Sequence, residues 1–200
     1  MKTVNVSLVG VGGQGILLTA NLLADAAALS GLDVKKSEIH GMAQRGGSVI
    51  SSVRFGTCVY SPIIPEGQSD ILVAFDRLEA LRWSHFLAKD GKALINNVDL
   101  VPVTVSSGLQ QPLADFDVRL AKAFPDALVV DAPALARKVG NERTMNMVIA
   151  GALSVLAPFK ESQWQKALEA SLTGKKAALL DVNRQAFALG RAAVGGGSAA

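Results

Sequence analysis

Short apolar runs alternate along the chain with longer segments in which apolar residues recur at helical spacing. The first run, residues 4–9, ends in glycines, which is typical of a buried parallel strand. Residues 13–29 follow, with Ile16, Ala20 and Leu23 on one face of a predicted helix. Further runs predict strands at 32–37, 49–55, 70–75, 92–96 and 127–131. Helical spacing predicts helices at 77–87, 113–123, 134–139, 144–156, 163–172 and 176–193.

This order of elements predicts an α/β fold. Strands separated by helices, opening with a strand, a glycine turn and a helix, favour a Rossmann-like, mostly parallel sheet with helices on both faces. The last three predicted helices form a helical C-terminal segment, and residues 58–60 are interpreted as a hairpin return. Because no repeat or linker divides the chain, we expect one domain over residues 1–194 and a flexible glycine-rich tail over 195–200.

Residues 3–24 contain no charged side chain, and a stretch of that length could cross a bilayer. Gly10, Gly12 and Gly13 interrupt it midway, so a buried strand, a turn and a helix explain it better. A signal peptide is not favoured either, since polar residues break the apolar run and no clear cleavage site follows. We therefore expect a cytoplasmic protein that does not enter a membrane.

Charge and cysteine content exclude several classes of function. The net charge is +3, but the twenty Lys and Arg are dispersed, which does not favour nucleic-acid binding. Cys58 is the only cysteine beside two histidines, whereas an iron–sulfur cluster usually needs four thiolates and structural zinc needs four Cys or His ligands. We therefore expect no metal site in this chain. Cys58 itself is expected to be a buried, small apolar side chain.

The first candidate binding element is the glycine turn. Its predicted cofactor-binding residues are Gly10, Gly12, Gly13, Gln14 and Gly15. The G-x-G-x-x-G spacing directly after a strand and at a helix start suits a phosphate or carboxylate, because backbone N–H groups and the helix dipole point at the ligand. A dinucleotide site also needs an acidic residue near the end of the second strand, and Glu38 is close to that place. The alternatives are close strand–helix packing alone, or a bond from the Gln14 amide to a partner's backbone.

The second candidate is the segment from Glu38 to Val49, which is predicted to be a surface loop. Its predicted partner-facing and active-site-facing residues are His40, Met42, Gln44, Arg45, Gly46 and Gly47. Stability alone gives little reason for this composition, because glycine is costly in strands and polar groups need partners. His40 suits proton transfer near neutral pH, and Arg45 can bind a carboxylate through two hydrogen bonds. Direct catalysis, contact with a catalytic partner and internal loop architecture all remain open, and no nucleophile is obvious unless Ser48 serves.

Several other polar residues have structural interpretations. Glu79 and Arg82 lie three residues apart on a predicted helix, which predicts a solvated face with weak ion pairing, with contact to a partner as the alternative. Asn141 is predicted to cap a helix or order a turn, and Met145 and Met147 are predicted to pack in the core or in an interface.

Four segments together carry a family resemblance. They are Gly12-Gly13-Gln14-Gly15, His40-Gly41-Met42-Ala43-Gln44-Arg45-Gly46-Gly47-Ser48-Val49, Leu78-Glu79-Ala80-Leu81-Arg82, and Gly140-Asn141 followed by Asn146. From about residue 6 to 190 the chain resembles the beta subunits of indolepyruvate ferredoxin oxidoreductases. These are stand-alone versions of the gamma domain of 2-oxoacid:ferredoxin oxidoreductases.

The resemblance implies a subunit with no catalytic residue of its own and no firmly bound cofactor. Thiamine diphosphate, Mg²⁺ and iron–sulfur clusters would lie in a larger partner subunit, coenzyme A would be a co-substrate, and ferredoxin would receive electrons through the complex. Together with that partner, the chain would take part in the oxidative decarboxylation of indolepyruvate or related arylpyruvates to an acyl-CoA.

Two alternative functions are kept open together with this interpretation. One is an independent NAD(P)- or CoA-binding protein that uses the glycine turn, which saturable binding without any partner would favour. The other is the equivalent subunit of a pyruvate or 2-oxoglutarate oxidoreductase, from which the sequence separates poorly because substrate selectivity is expected to lie in the partner.

Overall fold

The computed structural model describes residues 1–40, 47–111 and 113–195. Within these ranges six strands form one sheet: β1 (Val4–Val11), β2 (Asp33–His40), β3 (Ser48–Gly56), β4 (Ser69–Ala74), β5 (Leu87–Asn96) and β6 (Leu128–Val130). Their order across the sheet is β2-β3-β1-β4-β5-β6. Strand β3 is antiparallel to both β1 and β2, whereas β1, β4, β5 and β6 pair in parallel. Five strands therefore run in one direction and only β3 opposes them, which confirms a mostly parallel sheet.

The helices of the same ranges connect and cover these strands. They are α1 (Ile16–Leu29), α2 (Arg77–Arg82), α3 (Val103–Ser106), α4 (Phe116–Ala123), α5 (Ala132–Lys138), α6 (Met145–Leu156), α7 (Glu161–Ser171) and α8 (Leu180–Gly195). Short 3₁₀ turns at Ser84–Phe86, Glu142–Thr144 and Gly174–Leu179 join some of them. The helical C-terminal segment is thus confirmed.

Two hydrophobic cores lie on opposite faces of the sheet. The larger one packs β1, β3 and β4 against α1, α5, α6, α7 and α8, with Trp164 and Phe187 among its largest buried side chains. The smaller one joins Val9, Leu72 and Ile95 to side chains of α2 and α4. Helices therefore cover both faces, and the predicted α/β fold is confirmed.

Helices α6 and α8 touch through their backbones. A Cβ carbon added at Gly190 would lie 1.9 Å from the carbonyl oxygen of Val148, and one added at Gly151 would lie 2.0 Å from that of Phe187. Such distances leave no room for a side chain, so the two glycines permit a close crossing. The crossing fixes the helical layer over the larger core.

The segment from Glu38 to Val49 differs from its prediction as a loop, because its two flanks are paired strands. Ile39 lies opposite Ile50, and His40 lies opposite Val49. The alternation of side chains continues through these residues despite the polar composition, so the hairpin extends further than the glycines suggested. The connecting residues Gly41, Met42, Ala43, Gln44, Arg45 and Gly46 lie outside the described residues, as does the side chain of His40.

Two predictions about Cys58 were wrong. Residues 58–60 form no hairpin strand, and the Cys58 side chain is exposed rather than buried. The chain leaves the sheet after β3, and Pro62 and Pro65 occupy the irregular stretch that follows. Proline lacks the N–H that a ladder requires, so this stretch cannot continue the sheet.

Other boundaries shift by a few residues. Helix α1 begins at Ile16 rather than at residue 13, and the predicted helix at 77–87 ends as α2 at Arg82, after which Leu87 already belongs to β5. Gly195 is the last residue of α8, and the rest of the predicted tail, residues 196–200, lies outside the described residues. None of the described helices combines the length and apolar character needed to cross a membrane.

Candidate functional site

The glycine turn and the start of α2 follow two neighbouring strands whose connections leave toward opposite faces of the sheet. Strands β1 and β4 are neighbours and parallel, but β1 continues into α1 on the larger core, whereas β4 continues into α2 on the smaller core. The carboxyl ends of two such strands leave a crevice between the diverging connections, which is the usual ligand position in open α/β sheets. The candidate site therefore lies beyond Val11 and Ala74.

Gly10 and Gly15 are required by internal packing. A Cβ at Gly10 would lie 2.4 Å from Gln14 Oε1 and 2.8 Å from the Cβ of Phe75. One at Gly15, whose φ is 86°, would lie 2.4 Å from Asn146 Nδ2. These contacts match the packing alternative for the two glycines. Gly13 differs, because its φ is 104° and a Cβ there would meet nothing within 4 Å.

The Gln14 side chain is used within the chain at both ends. Its Oε1 accepts the N–H of Val11 at 2.6 Å, and its Nε2 donates to the carbonyl oxygen of Phe75 at 3.2 Å. The amide thereby ties the end of β1 to the end of β4. Gln14 therefore holds the two strand ends of the crevice together. A bond from the same amide atoms to a partner's backbone would have to replace these two contacts.

The glycine turn also holds the start of β3. The N–H of Gly12 donates to the carbonyl oxygen of Gly47 at 3.0 Å, which brings one predicted partner-facing residue onto the predicted cofactor-binding turn. Of the remaining residues predicted to face the partner, Met42, Gln44, Arg45 and Gly46 lie outside the described residues. His40 is the last residue of β2 and lies at the same end of the strands as the glycine turn.

A cleft of about 460 Å³ opens beside the turn. It is lined by Gly12, Gly13, Gly15, Ile16, Leu17, Leu18 and Val49. Backbone of the turn forms one wall and apolar side chains of α1 form another. This arrangement suits a ligand or partner segment that combines a polar group with an apolar portion. Anion binding by the turn stays a prediction.

Glu79 is buried, and its prediction as part of a solvated helix face was wrong. Only 2% of the residue is exposed. The predicted ion pair with Arg82 does form, with 2.9 Å between Nη1 and Oε1. The other carboxylate oxygen accepts the hydroxyl of Ser48 and the indole N–H of Trp83, the latter at 3.1 Å. Sequence reasoning missed this role because Ser48 lies on another strand, 31 residues away.

Asp76 is the second buried carboxyl group of α2. Its Oδ1 accepts the N–H of Glu79 at 2.8 Å and so caps the helix. Burial raises the pKa of Asp76 above its ordinary value, and the nearby Glu79 carboxylate adds to the rise, while the helix N–H groups and the Gln14 amide oppose it. Among the described residues no donor reaches Asp76 Oδ2. A buried oxygen without a donor favours the neutral carboxyl group.

The remaining predicted residues have structural positions. The Asn141 side chain accepts the N–H of Arg143 at 3.1 Å and caps the turn before α6, as predicted. Met147 lies in the larger core, and Met145 packs against it, with its sulfur 3.4 Å from Asn96 Nδ2. In the part of the chain that the structure describes, no three His, Cys, Asp or Glu side chains are placed to share a metal ion.

The chain is similar to proteins of known family and structure. Residues 5–193 match the family described as pyruvate ferredoxin/flavodoxin oxidoreductase. The indolepyruvate oxidoreductase subunit IorB of Thermococcus kodakarensis is 42% identical in an alignment 195 residues long that covers 95% of each chain. The gamma subunit of a keto/oxoacid ferredoxin oxidoreductase from Geobacter sulfurreducens has a similar fold, with a TM-score of 0.71 at 22% identity over 96% of this chain and 99% of that one.

A longer polypeptide contains the same fold. The 2-oxoglutarate:ferredoxin oxidoreductase of Magnetococcus marinus superposes on all of this chain with a TM-score of 0.79 at 21% identity. The match covers 32% of that polypeptide. The fold described above therefore occurs both as a separate chain and as one part of a larger one.

Proposed function

The chain belongs to the pyruvate ferredoxin/flavodoxin oxidoreductase family, and from that premise we propose that it is the smaller subunit of a 2-oxoacid:ferredoxin oxidoreductase acting on indolepyruvate or related arylpyruvates. The observation that carries the proposal is the match to an indolepyruvate oxidoreductase subunit along 95% of both chains. A match along nearly the whole length of both chains supports a shared role as well as a shared fold.

The reaction requires groups that this chain does not fit. An iron–sulfur cluster is usually held by four thiolates, and this chain has one cysteine. We therefore place the clusters in a larger partner subunit, together with thiamine diphosphate and Mg²⁺. That subunit would decarboxylate the oxoacid and pass two electrons to ferredoxin, and coenzyme A would receive the acyl group.

This subunit would contribute the carboxyl edge of its sheet to the shared active-site entrance. The cleft beside Gly12 and Gly13 would take an anionic group of coenzyme A or a backbone segment of the partner. Gln44 and Arg45 belong to the connection between β2 and β3 and would face the catalytic subunit. The Gly12–Gly47 hydrogen bond supports this arrangement, because it joins that connection to the glycine turn.

Purification of the tagged chain from its own cells, followed by native mass spectrometry, tests the proposal. We expect a large co-purifying polypeptide that carries thiamine diphosphate and iron–sulfur clusters, and ferredoxin reduction that depends on an arylpyruvate and coenzyme A. A chain that remains alone, or that retains a dinucleotide, would contradict the proposal.

A substitution tests the partner-facing assignment. We expect Arg45→Ala to weaken assembly or raise the KM for coenzyme A while the free chain keeps its thermal stability. Arg137→Ala is the matched control, because Arg137 is an exposed arginine at the far end of α5. Equal assembly, kinetics and coenzyme A affinity in both variants would remove Arg45 from the interface.

The cleft beside the glycine turn supports one other candidate, an independent nucleotide-binding protein. An isolated chain of that kind should show saturable binding and a rise in Tm with NAD(P) or coenzyme A. A subunit should respond weakly without its partner. An oxoacid panel with the assembled complex separates arylpyruvates from pyruvate and 2-oxoglutarate.

A further inference from the structure

The Glu79 carboxylate is a costly group at its position. A buried carboxylate is tolerated only when it is paired and hydrogen-bonded, and an apolar side chain of similar size often serves stability equally well. Helix α2 does not need it, since the Asp76 side chain already caps the first turn. The groups that the Glu79 carboxylate binds, rather than the helix itself, therefore explain its presence.

Those groups come from two elements. Arg82 and Trp83 belong to α2 and its end, whereas Ser48 is the first residue of β3. The Trp83 indole N–H lies 3.1 Å from both Ser48 Oγ and Glu79 Oε2, so the three side chains form a closed triangle of hydrogen bonds. The triangle ties the start of β3 to α2.

The residue before Ser48 is held by another element, the glycine turn. The carbonyl oxygen of Gly47 accepts the N–H of Gly12, so the glycine turn and the Glu79 triangle hold two consecutive residues. Because β3 pairs with β2 up to His40, this point lies at the end of the β2–β3 ladder.

We propose that Glu79 is a positioning residue for subunit assembly: through Ser48 it fixes the start of β3 against the glycine turn, in the arrangement that the larger subunit binds. The inference rests on the proposed function. It assigns Glu79 no contact with substrate, since its carboxylate is occupied by Ser48, Trp83 and Arg82.

The test measures the Kd between this chain and the purified larger subunit, together with the urea stability of each free variant. Glu79→Gln keeps the size of the side chain but removes the charge that holds Arg82. Ser48→Ala removes the hydroxyl, and Ser48→Thr restores one. Ser154→Ala is the matched control, because the Ser154 hydroxyl is also buried and hydrogen-bonded but lies between α6 and α8.

We expect Glu79→Gln and Ser48→Ala each to raise the Kd about tenfold, the size of a lost hydrogen bond to a charged group. Ser48→Thr and Ser154→Ala should bind like the parent chain. The double variant should bind about as weakly as either single one, because both changes break the same link.

Failure of this inference and failure of the proposed function would give different results. If the parent chain binds but Ser48→Ala and Glu79→Gln bind as tightly as Ser154→Ala, the positioning role is overturned and the proposed function stands. If the parent chain does not bind the larger subunit, the proposed function falls and this inference with it. Should Glu79→Gln fail to fold, the Ser48 pair of variants decides the outcome.

Discussion

The side chain of Asn146 lies against the backbone of Gly15 so closely that a Cβ carbon on Gly15 would stand 2.4 Å from Asn146 Nδ2. The backbone carbonyl of Asn146 lies 3.3 Å from the hydroxyl of Thr19, one turn into α1. The start of α6 is thereby fitted onto the start of α1. The glycine turn thus serves as a packing element on one side and borders the cleft on the other.

We expect Gly15→Ala to lower the free energy of unfolding by about 3 kcal/mol, since a left-handed backbone conformation and a steric overlap both oppose the new side chain. Gly13→Ala is the matched control, because its φ is also positive but a Cβ there meets nothing within 4 Å. It should cost only about 1–2 kcal/mol. Urea denaturation of both variants measures the difference. Equal losses of stability would show that the Asn146 side chain moves aside at no cost.

The crossing of α6 and α8 predicts a second difference between two glycines. Gly190→Ala should lower the free energy of unfolding by about 3 kcal/mol or more, because the new carbon overlaps the backbone of Val148. Gly195→Ala lies on the same helix, where a Cβ meets nothing within 4 Å. It should leave stability unchanged or raise it by up to about 1 kcal/mol. A tolerated Gly190→Ala would mean that the helices can separate.

The raised pKa of Asp76 predicts a pH dependence of stability. Between about pH 3.9, the ordinary pKa of an unfolded aspartate, and the raised pKa of the folded state, the folded state holds a proton that the unfolded state has lost. The stability contributed by the neutral carboxyl group is therefore present at low pH and declines as the pH rises through the raised pKa of Asp76.

Asp76→Asn should remove this slope. The stability of the parent chain relative to Asp76→Asn should fall as the pH rises above about pH 4, as measured by urea denaturation over a series of pH values. Asp131→Asn controls for the cap itself, since Asp131 caps α5 through the N–H of Ala134 but is exposed. A relative stability that rises with pH would contradict the expected sign.

Gln14→Ala should lower the free energy of unfolding by about 2 kcal/mol, because the Val11 N–H and the Phe75 carbonyl each lose a partner. Gln68→Ala, at an exposed position, should change stability by less than about 0.5 kcal/mol. If Gln14 instead serves mainly to contact a partner, Gln14→Ala will leave the free chain as stable as Gln68→Ala and will weaken only assembly.

The apolar pattern was sufficient to predict the layers of this fold. The runs ending at Val9, Phe75 and Asn96 became neighbouring parallel strands, because strands separated by helices have few other ways to bury both faces. Boundaries were less predictable where glycine decides them. Positive φ at Gly13 and Gly15 delays the start of α1 to Ile16, and helical spacing alone does not contain that information.

The candidate site was predicted only in part, because its contacts join distant segments. The glycine turn was found from its spacing, whereas Glu79 was assigned to solvent because its spacing to Arg82 indicated only a surface ion pair. Its burial depends on Ser48 and on the smaller core around Ala80. A local signal did exist, since Glu79 follows a buried strand and stands beside Ala80 and Trp83, but no spacing rule connects it to β3.

Helix α6 carries eight consecutive buried residues, from Met147 to Ser154, and α8 supplies much of their cover. A helix that is apolar all round depends on its neighbours for solubility. During synthesis α6 emerges from the ribosome while residues 180–195 are still inside the exit tunnel, so an apolar surface is exposed for that interval. The nascent chain should therefore engage general chaperones until α8 docks, and variants that slow this docking should reduce yield more than they reduce the activity of the molecules that fold.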